Sequence, residues 1–504
     1  MKLTGLLFAA ALLGTCTQPA AEENYTRHVD PKIGTGGHGH VFVGANVPFG
    51  LVQVGPTSIP QTWDWCSGYH ASDSTVIGFS HTHLSGTGIG DLFDVTVMPV
   101  TGEVTYARGT EDDPTSGLWS YADRTQEIAR PGYYSVPLTR YGIRAELTAT
   151  ARVGLHRYTF PASDAAAVVF DLENGGCWDK ATETHLAKEG DRTVTGWRHS
   201  TGWAKDQRVY FAAEFSKPFE KFETIGDNYA RASFRTTDGE QVSLKVALSP
   251  VSVEGARENL AAELPGWDFE ETAKAADKAW NDELSKVKIE TEDETSKRIF
   301  YTALYHTMVA PSLFCDVNGD YYGSDHAIHR NADFTNYTTF SLWDTYRAAM
   351  PLMTVLHPEK MADIVQTMLT ISDEQGRLPV WHLWGNETDC MVGNPGIPVV
   401  ADAIVKGIGG FDREKAFEAI RKTAMNPDRG NGLRMEYGYI PCEMFNEAVA
   451  YDMEYALADG AAARAAETLG KAEDAKYFEE RSHSYRNYFD PATRFMRGRD
   501  SKKG

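Results

Sequence analysis

The sequence predicts a multidomain β + α protein, in which an N-terminal β-sandwich is followed by a helical linker and a helical domain. The chain has 504 residues, more than a single hydrophobic core ordinarily accommodates. Short apolar runs bounded by turn residues recur up to about residue 265. Helical periodicity dominates from there onward, so the class of structure changes at that point.

Residues 25–265 are predicted to form the sandwich. Their apolar runs are short and regularly spaced, and Gly, Pro, Asn and Asp lie between them, as is typical of strands joined by tight turns. The runs that best fit strands are 50–54, 94–98, 134–138, 166–170, 209–213 and 242–246.

Residues 266–290 are predicted to form a linker helix, and residues 291–504 a helical domain. Loops rich in Gly, Pro, Trp and Asn join the helices, which favours a helical toroid with loops around one mouth over a plain bundle. Fewer helices fit than a closed double ring needs, so we expect the chain to be part of a longer protein. The predicted helices are 269–286, 296–309, 342–355, 359–372, 397–408, 413–423, 447–469 and 472–488.

The net charge of the chain indicates which kinds of ligand it can bind. The chain has 49 Lys and Arg against 70 Asp and Glu, for a net charge of -21, and no basic run. A nucleic-acid partner is therefore not expected. A neutral substrate, or a divalent cation held by carboxylates, fits this balance better.

The first 20 residues resemble a secretion signal. Lys2 provides the positive end, an apolar stretch over 3–13 follows, and small residues come after it. The stretch is too short to span a membrane. Because Leu13-Gly14-Thr15-Cys16 resembles a lipoprotein cleavage box, two outcomes stay open: a lipoprotein tethered to the outer membrane at Cys16, or ordinary export to the periplasm or exterior. The sequence does not indicate an oligomeric state.

The segment 381–391 holds two tryptophans, two carboxylates and an amide, and it follows a Gly-Arg-Leu-Pro turn. Such residues suit a sugar site: the indoles of Trp381 and Trp384 can stack on pyranose rings, Asn386 can bind hydroxyls, and Glu387 can donate a proton. Asn386 and Thr388 are also expected to help hold the loop. The alternative is a solvated loop whose tryptophans cap the core.

Two N-terminal motifs suggest ligand sites, a phosphate loop and a zinc site, but neither is complete. The glycine-rich stretch 34–40 lacks the lysine and hydroxyl residue of a phosphate loop. His81 and His83 lie two residues apart and could share a zinc ion. Since no third ligand is evident nearby, we favour histidines that are hydrogen-bonded at a domain interface.

Two further clusters lie in the helical half. Asp344 and Arg347 are three residues apart on one predicted helix face, where they could grip sugar hydroxyls, although Ser341 and Asp344 also suit a helix start. Glu443 and Asn446 precede a long helix. They could cap it, or they could offer oxygen ligands to a hard cation such as Ca²⁺.

Together these motifs resemble those of glycoside hydrolase family 92, the calcium-dependent exo-acting α-mannosidases. The resemblance runs from about residue 25 to the end of the chain. The motifs that carry it are Asp30-Pro31-Lys32-Ile33-Gly34-Thr35-Gly36, Cys66-Ser67-Gly68-Tyr69, the 78–88 stretch around Ser80-His81-Thr82-His83, Ser341-Leu342-Trp343-Asp344-Thr345-Tyr346-Arg347, Gly385-Asn386-Glu387-Thr388 and Glu454-Tyr455-Ala456.

The resemblance implies a β-sandwich packed on an (α/α)6 barrel, here incomplete, with the site between them. It also implies hydrolysis of terminal α-mannosides with inversion, Glu387 as the general acid, and a Ca²⁺ contacted by Asn446 that binds the O2 and O3 hydroxyls of mannose. The expected substrate contacts are Trp65, Asp344, Arg347, Trp384, Asn386, Cys442 and Glu443.

Two departures from the family pattern matter. Cys442-Glu443 stands where many members have a His-Glu pair associated with α-1,2-linked mannose, and Asn394-Pro395-Gly396 replaces a Tyr-His-Ser type of sequence. Linkage preference is therefore undefined. The family's general-base aspartates have no match before residue 504, so we expect no useful turnover from the 504-residue chain alone.

Two other functions are possible. One is a mannose-binding or glycan-binding protein without catalysis, although the presence of Glu387 argues against it. The other is a phosphorylase with a related helical barrel, which would need a phosphate site that no basic cluster supplies.

Overall fold

The computed structural model describes residues 23–60, 62–113 and 115–502. The predicted signal segment and Cys16 lie outside these ranges. Within them, no helix combines the length and the apolar character needed to cross a membrane.

The N-terminal half is a β-sandwich, as predicted. Short one-turn 3-10 helices at Thr26–His28, Trp63–Trp65 and Arg124–Gln126 interrupt its loops. Its strands are β1 (Gly55–Thr57), β2 (Thr75–Val76), β3 (Gly78–Ser80), β4 (Thr96–Thr101), β5 (Ser120–Tyr121), β6 (Ile128–Arg130), β7 (Tyr133–Leu138), β8 (Ile143–Ala149), β9 (Val153–Phe160), β10 (Ser163–Asp171), β11 (Lys180–Glu189), β12 (Thr193–Thr201), β13 (Gln207–Phe215), β14 (Lys221–Ile225), β15 (Tyr229–Thr236) and β16 (Glu240–Ser249).

Two antiparallel sheets form the sandwich over the described residues. One has the order β1-β3-β4-β10-β15-β14, and the other has the order β11-β12-β13-β16-β9-β8-β7-β6. The inner faces share a large apolar core, in which Phe170 of the first sheet stacks on Phe211 of the second at 6.0 Å between ring centroids. The predicted run 50–54 forms no strand, and its pairing is reduced to one bridge between Val54 and Ala45.

A buried ion triad crosses this core. The Arg198 guanidinium, fully buried on β12, donates to Asp94 at 2.7 Å and to Asp179 at 2.6 Å. Gln207 donates its amide to the second Asp94 oxygen at 2.6 Å. The triad therefore connects β12 with the loops before β4 and β11. Through Gln207, it is also connected to the neighbouring residue Asp206.

The C-terminal half is helical, as predicted. Its helices are α1 (Val253–Glu263), α2 (Phe269–Leu284), α3 (Glu294–His306), α4 (Leu342–Thr345), α5 (Ala349–Leu356), α6 (Pro358–Gln375), α7 (Gly396–Lys406), α8 (Arg413–Ala424), α9 (Asn431–Tyr437), α10 (Ala448–Thr468) and α11 (Ala472–Arg481), and a 3-10 turn follows at Ser484–Tyr488. The long helix α10 packs against α7, α8 and α11, and its buried alanines allow close approach.

The helices differ from the predicted ones in three places. The predicted helix 342–355 is divided into α4 and α5, because Pro351 cannot donate a hydrogen bond within a continuous helix and is tolerated only in a first turn. Helix α1 was not predicted, and it packs on the eight-stranded sheet. The short α9 was also missed; it lies between Gly430 and Gly438, which both have positive φ.

Short strands between the helices position the candidate site. They are β17 (Ser312–Leu313), β18 (Tyr321–Tyr322), β19 (Ile328–His329), β20 (Tyr337–Thr338), β21 (Phe340–Ser341), β22 (Trp381–Leu383) and β23 (Asn386–Glu387), and β24 (Phe489–Asp490) and β25 (Phe495–Met496) form a last hairpin. Phe314, Tyr322 and Trp381 extend the core of the sandwich into the helical half. This packing brings strands β21–β23 to the boundary between the two halves.

Candidate active site

Glu387 lies at the end of a tight hairpin. Strands β21, β22 and β23 form an antiparallel sheet in which His382 is opposite Glu387. The turn residues Trp384 and Gly385 both have positive φ, at 48° and 78°, as the commonest two-residue hairpin turns require. A Cβ at Gly385 would lie 2.6 Å from the Tyr322 ring, so glycine is also needed for packing.

The Glu387 carboxylate is surrounded by donors. Its Oε1 accepts from the backbone N–H groups of Trp381 and Asp389, each at 2.9 Å. Its Oε2 accepts from the Val380 N–H at 2.8 Å and from the Gln375 side-chain amide at 3.3 Å. The side chain is partly exposed. In this conformation both oxygens act as acceptors, so proton donation to a substrate requires the side chain to exchange at least one of these contacts.

Asn386 joins the hairpin to the sandwich. Its side-chain Oδ1 accepts from the Asp206 N–H at 3.0 Å, and its Nδ2 donates to the Asp206 carbonyl at 2.9 Å and to the Trp384 carbonyl at 2.8 Å. The residue is 5% exposed, and these contacts occupy both amide atoms. Its geometry is therefore that of a positioning residue, in agreement with the predicted holding of the loop and in contrast to the predicted contact with a substrate hydroxyl.

Replacing Asn386 with Ala is expected to loosen the hairpin, because three backbone groups lose their side-chain partner. We expect a loss on the order of 3 kcal/mol in local stability. Faster amide hydrogen exchange over residues 381–388 would report it. Thr388→Val is the control within the same loop, since it removes one hydrogen bond to Trp381. An effect of Asn386→Ala no larger than that of Thr388→Val would contradict the positioning role.

The two tryptophans of the hairpin are buried. Trp381 and Trp384 are each 2% exposed. Trp381 makes an edge contact with Trp203 at 5.5 Å, and Trp384 makes one with Phe314 at 5.1 Å. This burial contradicts the predicted role of Trp384, and the suggested role of Trp381, as an open platform for a sugar ring. The interpretation of these tryptophans as caps on the core fits better.

Two arginines hold the loop that follows Glu387. Asp389 forms ion pairs with Arg377 and with Arg429, the latter at 3.6 Å. Arg429 also donates to the carbonyls of Met391 and Gly393. Sequence reasoning missed both arginines. The Gly376-Arg377 turn before the motif was the only available signal, and nothing local indicates a partner 40 residues away.

Asp344 and Arg347 lie near this loop and are exposed, as a substrate contact requires. The Ser341 hydroxyl donates to Asp344 at 2.8 Å and does not cap α4. Arg347 donates to Glu454 at 2.9 Å, and the Tyr346 hydroxyl donates to the other Glu454 oxygen at 2.8 Å. Arg347 is thus held by α10, whereas Asp344 stays open on one side.

A cavity of 130 Å³ adjoins Asp344. Ser85 and Thr87 of the N-terminal half line it on one side, and Ser341 and His306 of the helical half line it on the other. The predicted site residue Asp344 therefore lies where both halves meet.

Trp65 lies in the N-terminal half and is half-buried. Its indole N–H donates to Asp73 at 2.7 Å, and its ring stacks on His70 at 4.4 Å, so that one face is already covered. The neighbouring Trp63 is 49% exposed and donates to the carbonyl of Gly88, next to the cavity-lining Thr87. Trp63 is thus the more open indole of the pair, and spacing alone could not separate the two.

The loop before α10 carries the remaining predicted residues. Cys442 and Glu443 are exposed but face the C-terminal segment. The Cys442 N–H donates to the Arg499 carbonyl at 2.9 Å, and Glu443 accepts from the Ser501 N–H at 2.8 Å. Hydrogen bonding to Ser501 lowers the pKa of Glu443. One oxygen of Glu443 is therefore engaged by the C-terminal segment.

Asn446 and Glu447 are exposed in the same loop, and Glu447 has a positive φ of 53° at the start of α10. Neither side chain hydrogen-bonds to another residue in the part of the chain that the structure describes. Amide and carboxylate oxygens are the donors that Ca²⁺ prefers, so this donor set fits a calcium ion.

The histidine pair is structural. His81 lies within hydrogen-bonding distance of the Val95 carbonyl at 2.6 Å and of His156 at 2.9 Å, and His83 is 2.8 Å from the Gln53 carbonyl. Burial lowers the pKa of His81 to about 3 and that of His83 to about 4. The hydrogen-bonded interpretation is confirmed. His81 lies within the sandwich, whereas the His83 ring is 5.0 Å from that of Phe42, which packs in the core of the helical half.

Two family models match this chain. Residues 28–249 match the glycosyl hydrolase family 92 N-terminal domain, and residues 255–504 match the glycosyl hydrolase family 92 catalytic domain. One curated relative, an uncharacterized secreted glycosidase of Arthroderma benhamiae, is 26% identical over 95% of this chain. The chain spans 64% of the length of that relative.

Solved structures show the same likeness. A family GH92 alpha-mannosidase of Bacteroides thetaiotaomicron is 40% identical, with a TM-score of 0.92 over 96% of this chain and 68% of its own. It has also been solved in complex with mannoimidazole. A family GH92 inverting mannosidase of Bacteroides thetaiotaomicron VPI-5482 is 29% identical, with a TM-score of 0.86 over 96% of this chain and 68% of its own. On these matches, the chain belongs to glycoside hydrolase family 92.

Proposed function

We propose that this chain is the part of an exo-acting α-mannosidase that carries the general acid. It would remove terminal α-mannosides from glycans such as N-glycans or mannans, with inversion. The observation that carries the proposal is the 40% identity to an alpha-mannosidase over 96% of the chain, together with Glu387 in a rigid hairpin where the two halves meet. Mannoimidazole binding by that relative supports a mannose-like ligand.

In the proposed reaction, a water molecule attacks the anomeric carbon from the face opposite the leaving group and gives a proton to a general base, while Glu387 protonates the glycosidic oxygen as its bond to that carbon breaks. Three backbone donors and Gln375 hold the carboxylate in the conformation described above. After proton transfer the resulting carboxylate can return to these donors, which stabilise its negative charge. Asp344 is proposed to bind substrate hydroxyls and Arg347 to flank them, because Arg347 is already engaged by Glu454. The general base is not assigned to any described residue.

Calcium is proposed to bind at the loop that contains Asn446 and Glu447. A hard cation there would supply electrostatic stabilisation to vicinal hydroxyls of the substrate. Among the described residues, the one tight group of possible metal ligands contains an imidazole, which suits calcium poorly, so the oxygen-rich loop is preferred.

Removal of calcium tests this part. Chelation with EGTA is expected to weaken mannoside binding or hydrolysis at least tenfold, and added Ca²⁺ is expected to restore it. Asn446→Ala should raise the Ca²⁺ concentration needed for half-maximal recovery by about tenfold or more, since one ligand is lost. Asn487→Ala, a partly exposed asparagine in the turn after α11 whose side chain donates to the Gly438 carbonyl at 3.2 Å, is the control. Equal Ca²⁺ requirements in both variants would exclude Asn446 as a ligand.

The proposed reaction is tested with an aryl α-mannoside in the presence of Ca²⁺. The assay should use both the 504-residue chain and the longest reading frame that contains it, with NMR of the first-formed sugar. Release of β-mannose supports an inverting α-mannosidase, and α-mannose excludes inversion. The matching aryl β-mannoside and α-glucoside should be poor substrates. If neither protein form cleaves the α-mannoside, the hydrolase proposal is wrong.

One observation favours the second candidate, a glycan-binding protein without catalysis. All four groups that contact the Glu387 carboxylate are hydrogen-bond donors, an arrangement that suits a side chain with a structural role. Calorimetric titration with mannose separates the two functions. Binding without hydrolysis by either protein form would support the second candidate.

We also propose that the protein is exported, as the N-terminal pattern predicts, to the periplasm or to an outer-membrane lipid anchor at Cys16. The curated relative is described as secreted, in agreement with export. Metabolic labelling with a fatty acid distinguishes the two locations: label that is lost in Cys16→Ser supports the anchor, and an unlabelled protein supports the periplasm.

A further inference from the structure

A second group of ligand-type side chains lies behind the Glu387 hairpin. Asp325 and His329 lie on the hairpin formed by β18 and β19, and Glu374 lies in the last turn of α6. One potential ligand atom from each residue falls within 4.8 Å of the other two. His329 Nε2 is 3.1 Å and 3.2 Å from the two Asp325 oxygens and 3.3 Å from Glu374 Oε1.

We propose that Asp325, His329 and Glu374 form a binding site for a divalent transition-metal ion, with Zn²⁺ the preferred ion. One imidazole and two carboxylates are a donor set that zinc and its neighbours accept, whereas calcium and magnesium prefer oxygen alone. This site is separate from the proposed calcium site, and its existence does not depend on the mannosidase proposal.

The surrounding residues hold the three side chains in place. The His329 ring stacks on Tyr321 at 4.8 Å with an interplanar angle of 8°. Glu374 accepts from the Tyr321 hydroxyl at 3.0 Å and from the Ser324 N–H at 2.7 Å, and Asp325 accepts from the Ala327 N–H at 3.0 Å. Hydrogen-bonded carboxylates and a fixed imidazole are the outer support that metal ligands generally have.

A glycine leaves room for the ligand atoms to converge. A Cβ at Gly323 would lie 2.7 Å from both Asp325 Oδ1 and His329 Nε2. Any other residue at this position would therefore push the two ligand atoms away. The side chains of Asp325 and His329 are 36% and 34% exposed, so that an ion can enter from solvent.

Charge also favours a cation here. The site lies at the C-terminal end of α6, where the helix dipole favours positive charge. A bound divalent ion would offset the negative charge of both carboxylates.

The site contacts the candidate active site through neighbouring residues. Gln375, next to Glu374, donates to Glu387. Ser324, next to Asp325, lies 2.9 Å from His382, the residue opposite Glu387. A metal ion would therefore link the β18–β19 hairpin to α6 directly behind the general-acid hairpin and raise the thermal stability of that region.

The test uses the untagged 504-residue protein, stripped with EDTA and then kept in excess Ca²⁺ so that calcium sites are filled. Co²⁺ binding is followed by visible absorption, and Zn²⁺ binding by calorimetry. We expect one equivalent of Co²⁺ with new visible bands, and Zn²⁺ to displace it. In His329→Gln and Glu374→Gln the bands should disappear, and Zn²⁺ affinity should fall about 100-fold or more, since a direct ligand matters more than an outer-shell partner.

His326→Gln is the matched control, because His326 lies on the same hairpin but bonds to the Tyr322 hydroxyl instead. It should bind Co²⁺ and Zn²⁺ as the unaltered protein does. Circular dichroism of each metal-free variant establishes that it folds, and Asp325→Asn is a third ligand variant should either of the others not fold. Absence of the bands in the unaltered protein would overturn the proposal, and so would equal binding by folded ligand variants.

Discussion

Glu387→Gln is expected to lower kcat on an α-mannoside with a poor leaving group by about 10²–10⁴-fold, because the amide cannot supply the proton that the departing oxygen needs. The measurement is made on whichever form of the protein hydrolyses α-mannosides. The kcat on a substrate such as α-mannosyl fluoride, whose leaving group needs less protonation, should fall much less. This difference is specific to a general acid.

The substitution also disturbs packing, and the control must account for that. A glutamine amide at position 387 would turn its NH₂ group toward backbone N–H donors that now meet a carboxylate oxygen. Thr388→Val perturbs the same hairpin without touching the carboxylate, and it should reduce activity toward both substrates to the same small extent. Equal losses on both substrates in Glu387→Gln would assign Glu387 a structural role.

Arg198→Met is expected to lower the free energy of unfolding of the β-sandwich by about 3–5 kcal/mol, since it leaves two buried carboxylates without a cation. The side chains of Arg198, Asp94 and Asp179 are at most 1% exposed, so water cannot replace the lost partner. Urea unfolding of the sandwich transition measures the change. The loop that carries Asp206 should loosen as well, because Gln207 is bonded to Asp94.

Two comparisons isolate the buried charge. Arg235→Met is the same substitution at an exposed pair with Glu220, and it should change stability by less than about 1 kcal/mol. Adding Asp94→Asn and Asp179→Asn to Arg198→Met should recover part of the loss, because the uncompensated charges are gone. If Arg198→Met lowers the free energy of unfolding no more than Arg235→Met does, the triad contributes little to stability.

Local patterns were sufficient for most of the fold. Short apolar runs between turn residues predicted β4, β7, β10, β13 and β16, and helical periodicity predicted α2, α3, α6, α7, α8 and α10, because each signal is contained in about ten adjacent residues. The break at Pro351 was visible in the sequence as well and was overlooked. The strands between α3 and α4 were missed because each has only two residues. Helix α1 was missed because its apolar residues do not gather on one face, although it packs against β13 and β16.

For the candidate site as well, some features follow from local residue patterns and others only from tertiary packing. The sequence by itself identified the family, the position of Glu387 and the acidic and amide residues around it, since these are matters of residue type and order. Only the tertiary structure decided that Trp384 is buried, that Asn386 binds the backbone of Asp206 and that Arg429 holds the loop after Glu387. Those contacts join residues 36 to 180 positions apart or depend on what covers a ring, and spacing along a chain carries no such information.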